Sequence, residues 1–416
     1  MADQMQFQSS GVPSPTAQFD IVIVGRGIIG MTAARALSVA GYSVALVGPA
    51  ATSDVPVGNA SAAYDLRVYA LSAATKRFLT ELKVWPALDQ ARVSAVQAMR
   101  VYSPRGTELC FDSVEAGTEA MNWIVEHCNL NSALERALTF SNVTTFQEPA
   151  TRFTADARSA TIQIASGLKL HSQLVLAADG IDSTIRRLAG LDVERRDYSA
   201  LATVANVTIE REHHGQAFQW FGDHGVVALL PLANGQMSLV WSGDGEQSRF
   251  DQDHLSAALQ SIAGDSLGRI SVDGASRSFP LAWMKAKQML ASRVALVGDA
   301  AHSMHPMAGQ GMNVGFGDIA ALCSVLKDHS ARDPRPTAFQ NAGDARLLRH
   351  YQRLRAEPVE AMLWVTDQLH TVFASPPAGL SGRIMQRAAQ MGWAQLARPN
   401  ALARQTRKLL ISQALA

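Results

Sequence analysis

A glycine-rich turn near the start of the chain restricts what it can fold into. Gly25, Gly27 and Gly30 follow the apolar run Ile21–Val24 and open a helical stretch. A continuous apolar run is typical of a parallel strand buried on both faces. In this setting the glycines permit a tight turn, close approach of the backbone to a pyrophosphate and close packing of helix on strand. The pattern predicts a βαβ unit that opens a parallel sheet and binds a dinucleotide at a helix N-terminus.

One position departs from the dinucleotide-binding pattern. An acidic residue normally ends the second strand of such a unit and holds the ribose hydroxyls of adenosine. Gly48 occupies that place here, after the apolar run Ser43–Val47, and Pro49 follows it. The sequence therefore predicts that the ribose contact comes from backbone, from water or from a nearby loop residue such as Asp54.

A second strand–turn–helix signal lies in the middle of the chain. The apolar run Leu174–Ala177 leads to Asp179-Gly180 and then to a helix in which Arg186 lies about one turn from the start. Such units are common. Taken alone, this segment leaves a purely structural role open.

A third segment has the same form and is more specific. The apolar run Val294–Val297 ends in Gly298-Asp299, which predicts a carboxylate at the carboxyl end of a parallel strand, where α/β sheets bind ligands. His302 and His305 follow, but no third ligand of convincing spacing accompanies them. We therefore expect a structural histidine rather than a metal site.

Four glycines come next, in what otherwise reads as a helix ending near Leu326: Gly309, Gly311, Gly315 and Gly317. Each interior glycine costs a helix about 1 kcal/mol relative to alanine. Their clustering predicts that a flat or bulky group, such as a flavin ring, packs against bare backbone there. A helix N-terminus aimed at that ring would stabilise negative charge on its reduced form.

Residues 198–242 carry a different pattern. Their strand candidates are short and joined by tight turns: Gln216–Phe221, Val226–Pro231 and Gln236–Trp241. Asn234-Gly235 between the last two is a strong hairpin signal. An antiparallel sheet, and hence a second domain, is predicted here. From about Ala345 the pattern is helical, and Pro358 either starts a new helix or kinks a long one.

Bulk properties exclude several classes of function. The formal net charge is +1, which provides no field that attracts nucleic acid. Residues 1–18 are polar and lack the features of a signal peptide, and no run approaches the roughly 18 apolar residues that cross a bilayer. We expect a disordered segment over residues 1–18 and a cytoplasmic protein, with peripheral contact to the inner membrane left open.

Together these segments resemble the flavoprotein aromatic hydroxylases. The stretch His305–Asp318, which reads HPMAGQGMNVGFGD, is similar to the signature of the ubiquinone-biosynthesis hydroxylases, the UbiH/UbiF/VisC group. Asp65–Ser72 resembles that group's Asp-x-Arg segment, and Leu82–Trp85 resembles its Leu-Gly-Val-Trp, with Lys83 in place of glycine. The likeness covers about residues 19–375.

The resemblance implies FAD as the cofactor and an α/β fold. A Rossmann-like βαβ domain would bind the FAD, with an antiparallel β-sheet substrate domain and C-terminal helices beside it. The implied cofactor-binding residues are Gly25, Gly27, Gly30, Arg67, Asp179, Gly180, Arg186, Gly298, Asp299, Gly309, Gly311, Met312 and Asn313. Pro306, Gly309 and Gln310 would line and position the reactive ring face without acting as nucleophiles. No metal is implied.

The implied domains are discontinuous in sequence. Residues 19–85, 120–190 and 290–345 would form the FAD-binding domain, residues 86–119 and 191–289 the substrate domain, and residues 346–416 a C-terminal helical region.

The implied activity is hydroxylation of the aromatic ring of a polyprenylated phenol in ubiquinone biosynthesis, through a C4a-hydroperoxyflavin. The partners would be a prenylated phenol or quinone precursor, O₂, and an electron donor that is either NAD(P)H or a redox protein. An apolar pocket between sheet and flavin would exclude water. Its candidate walls, each with plain core packing as the alternative, are Phe218, Trp220, Phe221, Leu229, Leu230 and Trp241.

Other readings stay open at this point. The enzyme could hydroxylate a small free phenol, or use the same cofactor domain as a reductase or cyclase. Gly48 favours a third reading, a catalytically silent scaffold that keeps the flavin fold. The tail Arg404–Leu415 mixes basic and apolar residues, which is compatible with docking on a membrane surface or on other ubiquinone-biosynthesis proteins.

Overall fold

The computed structural model describes residues 16–49, 63–304, 310–332, 340–369 and 371. Within these residues the chain forms a parallel sheet, a larger antiparallel sheet, two small sheets and eight α-helices. Strands and helices are numbered below in chain order. The α/β class predicted from the sequence is confirmed, with the βαβ unit and the antiparallel sheet both present.

Six strands form the parallel sheet. They are β2 (Ile21–Val24), β3 (Val44–Val47), β9 (Val143–Phe146), β13 (Leu174–Ala177), β19 (Leu290–Ala291) and β20 (Val294–Leu296). Their order is β19-β20-β13-β2-β3-β9, and every neighbouring pair is parallel except the edge pair β19-β20. The four inner strands are apolar and buried throughout, as expected when both faces of a sheet are covered.

The antiparallel sheet has eight strands. They are β6 (Ala98–Tyr102), β7 (Glu108–Asp112), β14 (Val193–Ile209), β15 (Gln216–Gly222), β16 (Gly225–Pro231), β17 (Met237–Gly243), β18 (Ile270–Ala286) and β21 (His302–Ser303). Their order is β21-β18-β14-β17-β16-β15-β6-β7, with one parallel pair, β15-β6. The three short strands predicted in residues 198–242 are confirmed.

The hairpin predicted at Asn234-Gly235 joins β16 and β17. Gly235 adopts a left-handed conformation with φ of 85°. Asn234 contributes through its side chain, whose Oδ1 accepts a hydrogen bond from the Gln236 N–H at 3.1 Å. The two residues therefore favour the turn for different physical reasons.

Two small sheets complete the strands. The first contains β1 (Thr16–Gln18), β10 (Ala150–Ala155), β11 (Ala160–Ile164) and β12 (Lys169–Ser172), and the second contains β4 (Val68–Leu71), β5 (Ser94–Val96) and β8 (Asn122–Glu126). The disorder predicted for residues 1–18 is wrong for the last three, because β1 pairs with β12. Backbone pairing orders a polar segment that has no apolar pattern. Residues 1–15 lie outside the described residues.

The helices are α1 (Ile28–Val39), α2 (Ala73–Glu81), α3 (Ser113–Ala116), α4 (His127–Thr139), α5 (Thr184–Leu188), α6 (Gln252–Ala263), α7 (Gly311–Arg332) and α8 (Ala345–Leu369). The predicted end of α7 near Leu326 is wrong. The buried apolar pattern stops there, but more polar residues continue the helix to Arg332. Pro358 lies inside α8, so no new helix starts at that proline.

Two of the first three glycines are required by close backbone contacts. Gly25 has a φ of 116°, and a Cβ at this position would lie 2.2 Å from the Ala178 carbonyl oxygen. A Cβ at Gly30 would lie 1.9 Å from the Gly25 carbonyl oxygen. Gly27 differs, because no atom lies within 4 Å of its would-be Cβ. Gly25 and Gly30 thus allow the turn to close, whereas Gly27 leaves open space.

This difference predicts unequal effects of alanine. Gly30→Ala forces backbone apart and should lower the free energy of unfolding by about 1–3 kcal/mol or more. Gly27→Ala meets no atom and should cost at most about 1 kcal/mol, through poorer helix capping. Urea unfolding of the two variants beside the parent protein measures both values. Equal stability of the two variants would contradict the packing described for Gly30.

Candidate active site

The carboxyl ends of three parallel strands lie side by side. Val24, Ala177 and Leu296 are neighbours in register across β2, β13 and β20. The three glycine-rich segments follow these residues directly and therefore meet at one edge of the sheet. The prediction that they belong to one site is supported by this placement, since ligands of α/β sheets bind at this edge.

The first turn leaves room for a phosphate group. Gly27 is exposed and is the N-terminal cap of α1, with no side-chain cap at that end. The first N–H groups of a helix have no partner within the helix and carry partial positive charge. Gly180, in the neighbouring loop, also has no atom within 4 Å of a would-be Cβ. These two open positions fit a dinucleotide that lies against backbone.

Asp299 presents a carboxylate in the same region. Its side chain is accessible to solvent, but protein atoms surround it as they would at the bottom of a groove. This partial burial raises the pKa of Asp299, while the charges of His302 and Arg67 act in the opposite direction. Arg67 is therefore close enough to Asp299 to influence it, as the prediction that both serve one site requires.

Arg67 is placed by a network that starts at Asp65. One Asp65 oxygen accepts a hydrogen bond from the Arg67 N–H at 3.0 Å, and the other accepts one from the Cys128 N–H at 3.1 Å. The Asp65 N–H donates to Glu126 at 2.7 Å. Arg92 pairs with Glu126 through two contacts of 2.7 Å. The Asp-x-Arg segment is thus held in place by the Arg92–Glu126 ion pair, to which the Asp65 N–H is hydrogen-bonded.

A buried carboxylate and its two side-chain partners hold the Gly298-Asp299 turn. One oxygen of Asp318 accepts hydrogen bonds from the Gly298 N–H at 2.9 Å and from His302 Nε2 at 2.7 Å. The other oxygen accepts one from Arg355 Nε at 2.7 Å. Asp318 has no exposed surface. His302 is therefore a structural histidine, as predicted, and its partner is a carboxylate.

Asp179 and Arg186 are engaged within the protein. Asp179 caps α5, because its oxygens accept hydrogen bonds from Ser183 Oγ and from the N–H groups of Thr184 and Ile185. Arg186 is buried and donates to the Ile181 carbonyl at 2.7 Å and to the Ala300 carbonyl at 2.9 Å. These contacts tie the middle segment to the late one, which favours a role in positioning the site.

Asn313 connects the start of α7 to β4 and α2. Its Nδ2 donates to the Ala70 carbonyl at 2.9 Å, and its Oδ1 accepts from the Ser72 N–H at 3.0 Å and from Thr75 Oγ1 at 2.9 Å. Its Nδ2 also donates to Gln310 Oε1 at 3.1 Å. The side chain of Asn313 is thereby satisfied by protein, and its predicted role in binding the cofactor stays a prediction.

The remaining predicted residues divide into two groups. Gly311 and Met312 are partly exposed in the first turn of α7, and the nearest atom to a would-be Cβ of Gly311 is Met304 Cγ at 3.8 Å. Pro306 and Gly309, predicted to position the ring face, lie outside the described residues, as does Asp54. Their roles stay predictions.

The explanation offered for the other glycines of α7 is wrong. A Cβ at Gly315 would lie 2.9 Å from Ile29 Cδ1, and a Cβ at Gly317 would lie 3.0 Å from Arg355 Nη2. These glycines are required by side chains of the protein itself. They let α1 approach α7, and they admit the guanidinium that pairs with Asp318, so no ring needs to be invoked for either position.

A tyrosine–histidine pair near Arg67 was not found from the sequence. Tyr69 Oη and His127 Nδ1 are 2.9 Å apart. Burial raises the pKa of Tyr69 to about 12, against the effect of Arg67, and burial lowers the pKa of His127. Both groups are therefore neutral at neutral pH. No spacing rule relates the two residues, because they are brought together by the long-range pairing of β4 with β8, the strand that precedes α4.

The residues at this edge fit FAD. An open helix N-terminus suits its pyrophosphate, and the Asp299 carboxylate can accept hydrogen bonds from hydroxyl groups. Comparison with known proteins agrees. The FAD binding domain family matches residues 18–363. The fold and site thus define an FAD-dependent monooxygenase.

Named relatives place the chain more closely. Ubiquinone hydroxylase UbiL of Rhodospirillum rubrum is 32% identical over 377 residues, which cover 88% of this chain and 84% of the relative. The 3-demethoxyubiquinol 3-hydroxylase of Escherichia coli is 31% identical over 312 residues, with 74% and 79% covered. The human mitochondrial ubiquinone biosynthesis monooxygenase COQ6 is 29% identical, with 88% of each chain covered. The chain belongs to this family of ubiquinone-biosynthesis hydroxylases, as the resemblance predicted.

Solved structures share the fold at low sequence identity. The p-nitrophenol 4-monooxygenase PnpA of Pseudomonas putida matches with a TM-score of 0.74 and 17% identity, covering 97% of this chain and 99% of that one. HpxO of Klebsiella pneumoniae, complexed with FAD and uric acid, matches with a TM-score of 0.70 and 18% identity, covering 95% and 98%. Among the helices that the structure describes, none combines the length and apolar character needed to span a membrane.

The buried carboxylate gives a prediction for stability and pH. Burial by itself raises the pKa of Asp318, but His302, Arg355 and the Gly298 N–H outweigh it and hold the pKa below 3.8. A depressed pKa stabilises the folded state above the unfolded-state pKa, and this contribution is lost as pH falls through the folded-state value. Asp318→Asn should therefore lower the free energy of unfolding by about 3–5 kcal/mol near neutral pH.

The same substitution should weaken the loss of stability in acid, since the group that takes up the proton is gone. Urea unfolding between neutral and acid pH measures both effects. Asp328→Asn, at an exposed position of the same helix, is the matched control and should behave like the parent protein. If Asp318→Asn lost as much free energy of unfolding in acid as the parent protein does, protonation of Asp318 would not be the cause of that loss.

Proposed function

We propose that this enzyme hydroxylates the aromatic ring of a polyprenylated phenol in ubiquinone biosynthesis, with FAD, O₂ and a reductant. The observation that carries the proposal is an apolar cluster that joins Tyr64 and Ala70, on either side of Arg67, to Ala217 and Leu230 of the antiparallel sheet. The chain is also more than 30% identical to two named ubiquinone-pathway hydroxylases. A prenylated phenol needs an apolar surface for its tail and a fixed position for its ring.

The antiparallel sheet offers such a surface on one face only. Its other face packs on α6 and contains four of the six predicted wall residues: Phe218, Trp220, Leu229 and Trp241. The alternative of core packing is therefore correct for those four. Phe221 and Leu230 point to the opposite face, because strand residues alternate.

That opposite face carries apolar residues interspersed with polar ones and is partly open. Val204, Val240, Ala228 and Gln219 are successive neighbours across β14, β17, β16 and β15. Val240, Ala228 and the nearby Leu230 are partly exposed. This is the face on which we place the prenylated ring.

Two buried polar side-chain atoms on the same face have no hydrogen-bond partner in the described part of the chain. Asn206 and Ser238 face each other in register, and the two atoms are Asn206 Oδ1 and Ser238 Oγ. Asn206 Nδ2 donates to the Tyr64 carbonyl at 2.7 Å, which brings this corner of the face to the chain leading into β4. These atoms suit oxygen substituents of the ring.

Bound FAD would activate O₂ with electrons from the reductant, so that one oxygen atom of O₂ is transferred to the ring and the other leaves as water. The protein supplies binding, orientation and exclusion of water. The α1 N-terminus and Asp299 would hold the nucleotide and ribityl parts, and the Asp65 network would present Arg67 toward the ring. Pro306, Gly309 and Gln310 would line the ring face. The electron donor, NAD(P)H or a redox protein, stays open in this proposal, as does the domain division given above.

The proposed substrate class is tested by mass spectrometry of quinone intermediates in a strain that lacks the gene. We expect ubiquinone to fall and a prenylated phenol lacking one ring hydroxyl to accumulate. Re-expression of the parent protein should restore ubiquinone, whereas a version unable to bind FAD should not. Normal ubiquinone in the deletion strain would instead favour a small free phenol, such as the substrate class named for PnpA.

The role proposed for Asp299 is tested by FAD affinity. Asp299→Ala removes an acceptor for cofactor hydroxyls and should raise the Kd for FAD about tenfold or more, since a hydrogen bond to a charged group contributes roughly 1.5–3 kcal/mol. Quenching of FAD fluorescence measures the Kd. Glu135→Ala, an exposed carboxylate on α4, is the control. Unchanged affinity in Asp299→Ala would remove this residue from the cofactor site.

We also propose that the protein associates peripherally with the membrane surface or with other ubiquinone-biosynthesis proteins. The basic and apolar tail Arg404–Leu415 lies outside the described residues. Trp364, on the helix that precedes it, is 66% exposed. Deletion of residues 400–416 should reduce co-sedimentation with anionic vesicles or with other ubiquinone-biosynthesis proteins, and unchanged sedimentation of both kinds would remove the idea.

A further inference from the structure

The place normally held by the ribose-binding carboxylate is filled in this chain by an arginine. Gly48 ends β3 with a φ of 146°, a conformation that side chains rarely adopt. A Cβ there would lie 3.3 Å from the Arg26 backbone nitrogen and 3.5 Å from Arg26 Cγ. The aliphatic stem of Arg26 therefore packs against Gly48, within van der Waals contact of the place where a side chain at that position would begin.

The guanidinium of Arg26 lacks the partners that such a group normally has. Its Nε and Nη1 are buried and make no hydrogen bond within the described residues. Leaving charged donors buried and unpaired is costly, and buried polar groups are nearly always hydrogen-bonded. An arginine can only donate. The missing group must therefore be an acceptor, and a negatively charged one suits it best.

The position of Arg26 identifies which acceptor is available. It lies between Gly25 and Gly27, at the start of α1, where the open helix N-terminus already favours phosphate oxygens. Gly48 marks the ribose side of the same nucleotide. The part of FAD that reaches both places is its adenosine diphosphate half.

We propose that Arg26 binds the adenosine diphosphate half of FAD by donating hydrogen bonds to its oxygen atoms, in place of the carboxylate that Gly48 replaces. The exchange reverses the charge at this subsite. A carboxylate accepts from ribose hydroxyls and repels phosphate, whereas a guanidinium attracts phosphate and donates to either oxygen type. The proposal rests on the FAD assignment and adds a residue that the dinucleotide-binding pattern does not contain.

The test compares the affinities of Arg26→Ala and the parent protein for FAD and for riboflavin, which lacks the adenosine diphosphate half. We expect the Kd for FAD to rise about tenfold or more, the size of one hydrogen bond to a charged group, while the Kd for riboflavin stays unchanged. ADP should compete with FAD in the parent protein and much less in the variant. Arg77→Ala, an exposed arginine on α2, is the control and should match the parent protein.

Two further measurements sharpen the result. The melting temperature of cofactor-free Arg26→Ala should equal or exceed that of the parent protein, because the substitution removes unpaired buried donors; a merely structural arginine would lower it. Arg26→Lys separates the acceptors. It should restore most FAD affinity, with a strong salt dependence, if the oxygens belong to the pyrophosphate. It should restore little if they belong to the ribose.

The outcomes that overturn the proposal are distinct from those that overturn the function. An unchanged Kd for FAD in Arg26→Ala, or an equal loss for riboflavin, would exclude this contact while leaving FAD binding intact. Tighter FAD binding in Arg26→Ala would show that the Arg26 side chain obstructs the cofactor site. That result would favour the catalytically silent scaffold. A parent protein that binds no FAD would overturn both the cofactor assignment and the role of Arg26.

Discussion

The buried carboxylate of Asp318 makes the contacts that hold together the candidate site at the carboxyl ends of the parallel strands. It hydrogen-bonds the Gly298 N–H directly and holds His302 and Arg355 on its two oxygens. Gly298 has a φ of 56°, so the chain reverses tightly there and turns Asp299 toward the groove. Because Asp318 and Arg355 form a buried ion pair, removing either one leaves the charge of the other unpaired.

The same contact explains the composition of α7. Gly317 admits the Arg355 guanidinium, and Gly315 lets Ile29 of α1 pack against the helix and against Gly298. Each glycine weakens the helix by about 1 kcal/mol, and this loss is offset by the contacts that it permits. Helix α7 thereby fixes the glycine-rich first turn and the Gly298 turn relative to each other. Two segments that are distant in sequence must be fixed in this way if both are to bind one elongated cofactor.

The sequence allowed much of this edge to be predicted. Apolar runs marked β2, β13 and β20, and parallel strands end at a common edge, so the segments after them had to meet. The contact of Arg355 with Asp318 could not be predicted, because no periodicity or motif relates the two residues. The sequence also did not show which face of the antiparallel sheet packs in the core. Trp220 and Phe221 are adjacent aromatic residues and both are buried, but only Trp220 lies in the cluster that packs on α6.

The pairing of β21 with the end of β18, here called the seam between the two large sheets, has a consequence for protein engineering. Strand β21, which carries His302, hydrogen-bonds to the end of β18, and the Ala286 N–H donates to the Ala301 carbonyl at 2.8 Å. The last strand of the antiparallel sheet is therefore encoded beyond β20. A chimera that imports this sheet from a relative with a crossover before residue 290 would pair a foreign β18 with the native β21. Crossovers placed after residue 303 keep the seam within one parent.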